Sequence, residues 1–457
     1  MSVSTVNTTG RRLLPAVKPR AAAKRFDWAG WIVPAAFAYA FILAPISSLR
    51  GAAAGAGTAI NMTTADGSTG NKLMWIMLGL VTLYAWVTRE DRSPRAVGWP
   101  MLLLAGYLLL AVASFGWSAV PGISLRRSVQ QVLVVAVVLV PFLIVNDVQK
   151  MLLRVTWVLA AAVVLSVLVM PLAGVPAFGY RGFYGQKNAM GQVAVISFYF
   201  FIYGFLCDQR TRQRVAYAFL LLAAAGLCVL SKSKTSMALM ALMPLGALFI
   251  VATSRLKLAL ARIGVGLGAA FVLVGLVFAV LIIPITLADV SNFLFHDTTF
   301  TGRTRIWAFA DYYIGRAPWF GHGYGSFWGV GSATKALNEG FIGGLLQAHN
   351  GYLDILLENG RVGLILLVTL VLTLVWALFR LTWVDGKLAF LLVSSLMFVL
   401  LNNTMESSLM RGYVPLWMTF LVCTGAASTL RLRRPAAAGA STAGDVAGMA
   451  GRGVVHG

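Results

Sequence analysis

Residues 302–325 read GRTRIWAFADYYIGRAPWFGHGYG, and residues 348–360 read AHNGYLDILLENG. Titratable side chains, glycines and aromatic rings concentrate in these two stretches, and apolar segments of membrane length flank them on both sides. Charged side chains are costly inside hydrocarbon, so residues 302–360 must lie outside the lipid. The sequence therefore predicts a membrane protein interrupted by one large polar loop, and this loop is the expected place for any chemistry.

The composition of the whole chain agrees with a membrane protein. The 457 residues are 59% hydrophobic and only 11% charged, and the mean hydropathy is +0.81. A water-facing surface needs far more charge than this. Repeated apolar runs of about twenty residues predict membrane-spanning helices, because only helices satisfy their own backbone in an open chain.

We therefore predict an all-α polytopic membrane protein with about twelve transmembrane helices. The predicted spans are 30–46, 72–88, 99–115, 128–146, 152–171, 189–206, 215–231, 235–253, 263–286, 361–379, 388–404 and 412–430.

The same pattern divides the chain into one membrane domain and two tails. The domain covers residues 30–430 and contains a large outer loop, 287–360, between the ninth and tenth spans. Residues 1–29 form a basic tail, and residues 431–457 are rich in Ala and Gly with little to bury, which predicts a disordered tail.

Basic residues indicate the orientation of the domain. Of the 37 Lys and Arg residues, 23 fall on the side that carries both tails. Cytoplasmic loops carry the excess of such residues, so both tails are expected in the cytoplasm and the 287–360 loop outside. The formal net charge of +22 then reflects basic loops and tails, and no nucleic-acid partner is expected.

The basic residues left on the outer side are the informative ones, because topology alone would keep them rare. There are fourteen, Arg411 among them, and the six that matter most lie in the short loop after the fifth span, in the turn after the seventh span and at the start of the polar stretch. Lysines at a membrane boundary can simply extend to lipid headgroups. Alternatively, these cations line an anionic site, since Arg and Lys both bind phosphate oxygens. The six residues are Arg181, Lys187, Lys232, Lys234, Arg303 and Arg305.

His349 is the strongest candidate for acid–base chemistry. It precedes a probable helix start at Asn350, and Asp354 and Glu358 follow four residues apart, so these carboxylates share one helix face. A histidine beside carboxylates is suited to accept a proton from a hydroxyl. A helix-capping or loop-packing role for His349 is the alternative.

Motifs of other chemistries do not occur in the sequence. It has no Walker loop, nucleophile elbow, dinucleotide fingerprint or His/Cys metal-ligand set, and no Asp-x-Asp pair. The three cysteines have no pairing or ligand spacing and are interpreted as packing residues. We therefore expect no metal and no cofactor, with the energy supplied by an activated substrate.

The polar stretch resembles the O-antigen ligase and Wzy-type polymerase family (Wzy_C-like), particularly exopolysaccharide polymerases of the ExoQ type. The similarity covers most of residues 30–430. The matching elements are Gly302-Arg303-x-Arg305-Ile306-Trp307, Pro318-x-x-Gly321-x-Gly323-x-Gly325, Ala348-His349-Asn350-x-Tyr352-Leu353, Glu358-x-Gly360, the Arg181-Gly182 loop and the Ser231-Lys232-Ser233-Lys234-Thr235 turn.

This resemblance implies a membrane glycosyltransferase of the lipid-linked polysaccharide polymerase or ligase type. It would polymerise undecaprenyl-diphosphate-linked oligosaccharide repeat units into exopolysaccharide by metal-independent inverting transfer. Carried onto this sequence, His349 would be the general base, while Arg181 and Arg303 would complete the catalytic set by holding the diphosphate. The residues expected to bind substrate are Lys187, Lys232, Lys234, Arg305, Asp354 and Glu358.

The resemblance also implies a place and partners for the protein. The place is the bacterial inner membrane, with the active site facing the periplasm. The partners are the lipid-linked donor, a glycan acceptor, the bilayer and other polysaccharide export components. Two alternatives remain: a ligase that transfers glycan to lipid A-core or another acceptor, and a transporter of lipid-linked sugars. A transporter would need charged residues lining a path through the membrane, and the predicted spans have almost none.

Overall fold

The structure is a computed structural model that describes residues 27–47, 69–89, 97–254, 303–329 and 345–429. Within these ranges every regular element is a helix and no strand occurs, which confirms the predicted all-α class. The predicted tails, the predicted ninth span 263–286 and much of the predicted outer loop lie outside the described residues.

Twelve α-helices are numbered here over the described residues. They are α1 Ala29–Ala38, which continues through a π turn at Tyr39–Leu43, α2 Thr69–Val87, α3 Trp99–Ala113, α4 Pro121–Ile144, α5 Val148–Ala173, α6 Lys187–Cys207, α7 Thr211–Leu230, α8 Lys234–Ser254, α9 Arg303–Arg316, α10 Gly351–Leu381, α11 Gly386–Asn402 and α12 Pro415–Thr429.

These helices coincide with eleven of the predicted spans. Nine described segments are long and apolar enough to cross a membrane, and α11 is a shorter apolar helix. α12 is apolar and almost entirely buried. The polar α9 is an extra helix inside the predicted outer loop. The number of twelve spans stays a prediction, since one of them is not described.

The helices pack around α6, which is buried along most of its length and contacts α5, α7, α8 and α11. Glycines allow the closest approaches: a Cβ at Gly204 would lie 2.6 Å from the Tyr217 ring, and one at Gly425 would lie 2.3 Å from Phe142. In lipid, such close van der Waals packing is a main source of helix association. The buried position of α6 fixes where its first residues emerge, and these residues form part of the site below.

α10 starts about ten residues before the predicted span 361–379, because two helices meet in it at Gly360. The backbone of Gly360 is non-helical, with φ 63° and ψ −163°. A Cβ there would lie 2.3 Å from the backbone of Trp319, so only glycine fits without a shift. The joint separates a short polar helix from the apolar helix that follows it.

The Gly-rich run, residues 318–325, binds to this joint through its backbone. The N–H groups of His322 and Gly323 donate to the carbonyls of Leu357 and Glu358 at 2.8 and 2.9 Å. Gly321 has φ 66°, and a Cβ there would meet the Glu358 backbone at 2.5 Å. The glycine spacing of the run thus serves close contact between two backbones.

A small hydrophobic cluster attaches α9 to the short polar helix of α10. It is separate from the main core. Its buried members are Ile306, Ala310, Phe327, Trp328, Ala348 and Leu357.

Candidate active site

His349 lies in a strained loop immediately before α10. Its φ is 53°, a left-handed conformation that residues other than glycine rarely adopt. Both backbone groups of the preceding residue, Ala348, are hydrogen-bonded. Its N–H donates to Asp354 Oδ1 at 3.0 Å, and its carbonyl accepts from Trp307 Nε1 at 3.1 Å. Asn350 caps α10 with its side chain, as the predicted helix start requires. These contacts stabilise the strained loop and fix where the imidazole lies.

Glu406 joins His349 to Arg303. Glu406 Oε2 lies 3.4 Å from His349 Nδ1, and Arg303 Nη2 donates to Glu406 Oε1 at 2.9 Å. Asn188 Nδ2 donates to the same Oε1 at 2.7 Å. The His349 side chain is 30% exposed, whereas Arg303 and Glu406 are 17% and 12% exposed. We name Glu406, Arg303 and His349 the Glu406 cluster; it brings the predicted base and a predicted cation to one carboxylate.

Two helices begin beside Glu406, and Arg303 in α9 contacts it. Asn188 is the second residue of α6. Gly351, the first residue of α10, donates its N–H to Glu406 O at 3.1 Å. The first turn of a helix carries partial positive charge, which favours anions. The backbone therefore adds to the positive potential of the side chains here.

The loop that carries Arg181 is attached to the turn that carries Lys232. Tyr180 N–H donates to Leu230 O at 2.7 Å, and Lys232 Nζ donates to Ala177 O at 3.1 Å. Lys232 has φ 52°, and a Cβ at Gly191 in α6 would meet the serines of this turn within 3.0 Å. Both elements therefore pack at the start of α6, the helix that supplies Asn188 to the Glu406 cluster.

Most of the remaining predicted cations are solvent-accessible. Arg181, Lys232, Lys234 and Arg305 are exposed, and Lys187 is half-buried at the start of α6. In the described part of the chain, no carboxylate pairs with Arg181, Lys187 or Arg305. These side chains can therefore bind an anion without breaking a protein ion pair.

Asp354 and Glu358 share one face of α10, but they lie in a different environment from His349. Arg411 Nη2 is 2.8 Å from Asp354 Oδ2 and 3.5 Å from Glu358 Oε1. We name these three residues the Arg411 cluster. Burial lowers the pKa of the Arg411 guanidinium, but the carboxylates of Asp354 and Glu358 raise it, and the net shift is upward from its ordinary value.

Backbone contacts of the Arg411 cluster support the site. Glu358 Oε2 accepts the Gly325 N–H at 3.0 Å, which connects α10 to the Gly-rich run. Arg411 Nη1 donates to Leu346 O at 3.2 Å, three residues before His349. Trp328 Nε1 donates to Asp354 Oδ1 at 2.7 Å. The cluster thus holds together the segments on both sides of the His349 loop.

Sequence reasoning missed Glu406 and Asn188, and it counted Arg411 only among the outer basic residues. The available signal was the loop between the last two spans, where Glu406 and Arg411 bring opposite charges into a short connection between apolar helices. Among the described residues, no group of three His, Cys, Asp or Glu side chains could hold a metal ion.

Two comparisons with known proteins bear on this site. Residues 218–368 match the family model described as O-antigen ligase (Wzy_C), a range that contains the Lys232 turn, Arg303 and His349. The chain is also 28% identical over 284 residues to the exopolysaccharide production protein ExoQ of Rhizobium meliloti (strain 1021). That match covers 60% of this chain and 64% of the relative, which is less than two thirds of its length. Together they show that this chain is similar to the O-antigen ligase family and to an exopolysaccharide production protein, and they support the resemblance carried by its sequence motifs.

Proposed function

We propose that this protein polymerises undecaprenyl-diphosphate-linked oligosaccharide repeat units into exopolysaccharide, at the periplasmic face of the bacterial inner membrane. The observation that carries the proposal is the Glu406 cluster, in which a partly exposed histidine and an arginine meet at one carboxylate. A base for a hydroxyl and a cation for a diphosphate are the two groups that metal-independent glycosyl transfer needs.

In the proposed reaction, a hydroxyl of the acceptor glycan attacks the anomeric carbon of the donor sugar with inversion. The new C–O bond forms as the bond from that carbon to the diphosphate oxygen breaks, and the diphosphate leaves with the electron pair. The hydroxyl proton passes to His349. The charge that develops on the leaving oxygen is stabilised by positioned cations, which act strongly where water is excluded.

Arg303 and Arg181 are the proposed cations for the diphosphate. A guanidinium has five N–H donors, so the pairing of Arg303 with Glu406 still leaves donors for phosphate oxygens. Arg181 is exposed and has no carboxylate partner among the described residues. Four further cations extend the positive region around the helix starts and are proposed to bind the lipid-linked substrate: Lys187, Lys232, Lys234 and Arg305.

Asp354 and Glu358 take a different role in this proposal. Their carboxylates face Arg411 and backbone N–H groups and are almost fully buried. We therefore assign them to holding the His349 loop and the Gly-rich run rather than to contact with the substrate.

A ligase is the second candidate, favoured by the description of the matching family model as O-antigen ligase. It would use the same donor chemistry, with lipid A-core or another glycan as acceptor. The two reactions differ in the acceptor alone, so the deciding experiment offers both acceptors to the purified protein.

The test uses the protein in liposomes with a synthetic undecaprenyl-diphosphate repeat unit, with and without lipid A-core. We expect a ladder of polymers from the repeat unit alone. Transfer to lipid A-core without a ladder would establish the ligase reaction instead. Neither product, from protein that binds the donor, would contradict both proposals.

The proposed orientation has its own test. Thr304 in α9 and Thr211 at the start of α7 are both exposed and fall on opposite sides of the predicted topology. In a Cys207→Ser background, a membrane-impermeant thiol reagent should label Thr304→Cys in intact cells and should label Thr211→Cys only after lysis. The two other cysteines, Cys228 and Cys423, are buried and give little background. The reverse labelling would place the Glu406 cluster in the cytoplasm and refute the proposed periplasmic site.

A further inference from the structure

Two side chains approach the same ring nitrogen of His349. Glu406 Oε2 lies 3.4 Å from His349 Nδ1, and Gln347 Nε2 lies 3.2 Å from it. An ionised carboxylate can only accept a hydrogen bond, whereas an amide nitrogen can only donate one. Glu406 therefore favours a proton on Nδ1, and Gln347 in this orientation favours a bare Nδ1. The two neighbours stabilise opposite tautomers of the neutral imidazole.

The choice of tautomer decides whether His349 can act as a base. With the proton on Nδ1, the lone pair is on Nε2, the nitrogen that neither Glu406 nor Gln347 contacts. With the proton on Nε2, the remaining lone pair is on Nδ1 and is occupied by Gln347. In that state the ring has no nitrogen available to accept the proton of a substrate hydroxyl.

The contacts of Glu406 favour the tautomer with the proton on Nδ1. Its other oxygen, Oε1, accepts hydrogen bonds from Arg303 at 2.9 Å and from Asn188 at 2.7 Å. These donors fix the direction of the carboxylate. A bare Nδ1 facing this charge is repelled, whereas an Nδ1–H is attracted. Gln347 can accommodate the Nδ1–H by rotating its amide so that the oxygen faces the ring.

We propose that Glu406 is a positioning residue that selects the Nδ1–H tautomer of His349 against Gln347 and so leaves Nε2 as the base. Glu406 would not touch the substrate. Its carboxylate would also stabilise the imidazolium formed when His349 accepts the hydroxyl proton. This inference rests on the proposed function, because it concerns the base of that same reaction.

Glu406→Gln tests the proposal with almost no change in shape. The amide oxygen can still accept from Arg303 and Asn188, but the amide nitrogen then faces Nδ1 and favours the inactive tautomer. We expect kcat for glycan transfer to fall about 10²–10⁴-fold, the contribution of a positioned base, while KM for the lipid-linked donor changes little. Single-turnover transfer and donor binding are measured on the full chain in liposomes.

A swap of the two side chains separates tautomer selection from a structural role. In Glu406→Gln combined with Gln347→Glu, a carboxylate again faces Nδ1 from the other side, and we expect kcat to recover at least tenfold over Glu406→Gln. If the double variant stays as inactive as the single one, Glu406 only supports the fold and the proposal fails.

Gln347→Leu alone should keep near wild-type turnover. A loss as large as that of Glu406→Gln would overturn the proposal without depending on how the other variants fold.

His349→Gln distinguishes this inference from the proposed function. If His349→Gln is inactive while Glu406→Gln turns over normally, His349 remains the base and the tautomer proposal is wrong. If His349→Gln itself retains wild-type turnover, the proposed base is wrong, and with it the tautomer proposal.

Discussion

The Glu406 cluster and the Arg411 cluster each pair an arginine with a carboxylate, but only the Glu406 cluster contains a histidine. The His349 loop contacts both clusters. In the Arg411 cluster the carboxylates are almost fully buried and also accept backbone or indole N–H groups. In the Glu406 cluster the histidine is 30% exposed.

The difference lies in His349, the most exposed titratable side chain of the two clusters, because the carboxylates of both clusters are largely buried. A buried charge without its partner costs several kcal/mol, so the groups of the Arg411 cluster must stay paired with one another. A partly exposed histidine near two helix starts can instead exchange a protein contact for a substrate contact. Variants in the Arg411 cluster should therefore change stability, and variants in the Glu406 cluster should change turnover.

The largest effect is expected at His349, on turnover alone. His349→Gln should lower single-turnover glycan transfer about 10²–10⁴-fold, because an amide can hydrogen-bond but cannot take a proton at neutral pH. Binding of the lipid-linked donor should remain, since the proposed cations would still hold the diphosphate. Thermal unfolding in detergent should change little.

The control for His349 is another histidine of the same stretch. His322 lies among glycines, with Nε2 2.9 Å from Tyr313 O and its ring packed against Phe327. His322→Ala should keep substantial turnover. Equal loss in both variants would show that His349 contributes to packing and not to proton transfer.

The next effect is expected in the Arg411 cluster, on stability. Arg411→Met leaves two buried carboxylates without their cation, and breaking a buried ion pair costs about 3–5 kcal/mol. The variant should unfold at a clearly lower temperature in detergent. Arg361→Met is the matched control, because Arg361 is exposed over the Trp319 ring and its loss should cost less than about 0.5 kcal/mol. Equal unfolding temperatures of Arg411→Met and Arg361→Met would contradict the proposed stabilising role of the Arg411 cluster.

The sequence predicts most of the helices because hydrocarbon demands them. A span needs about twenty apolar residues, and this pattern is local, so its edges can be read along the chain. The start of α10 was also predictable, since Asn350 caps it with its own side chain. The joint at Gly360 was not, because it depends on contact with the Trp319 backbone, which no local pattern reveals.

Sequence reasoning named Arg303 and His349 but not Glu406, and it could not give the arrangement of the three. Arg303 and Glu406 are separated by 103 residues, and His349 and Glu406 by 57, so their meeting depends on how α6, α9 and α10 pack. The spacing of Asp354 and Glu358 correctly predicts one shared face. It does not indicate that Arg411, from another loop, meets that face.

The smallest of the three effects is expected for the cations that would hold the diphosphate. Arg303→Ala should lower transfer about 10²–10³-fold, the cost of removing one donor to a developing negative charge. Arg181→Ala should act similarly, and unlike Arg303→Ala it breaks no ion pair with a described residue, so its unfolding temperature should not change. Arg303→Lys should recover transfer only in part, because a lysine lacks the planar fork of donors. Arg316→Ala, at the far end of α9, is the control and should keep normal turnover, since Arg316 contacts only Tyr312 among the described side chains. Normal polymer formation by both Arg303→Ala and Arg181→Ala would mean that these cations only contact lipid headgroups at the membrane boundary. The Glu406 cluster would then differ from the Arg411 cluster in exposure but not in function.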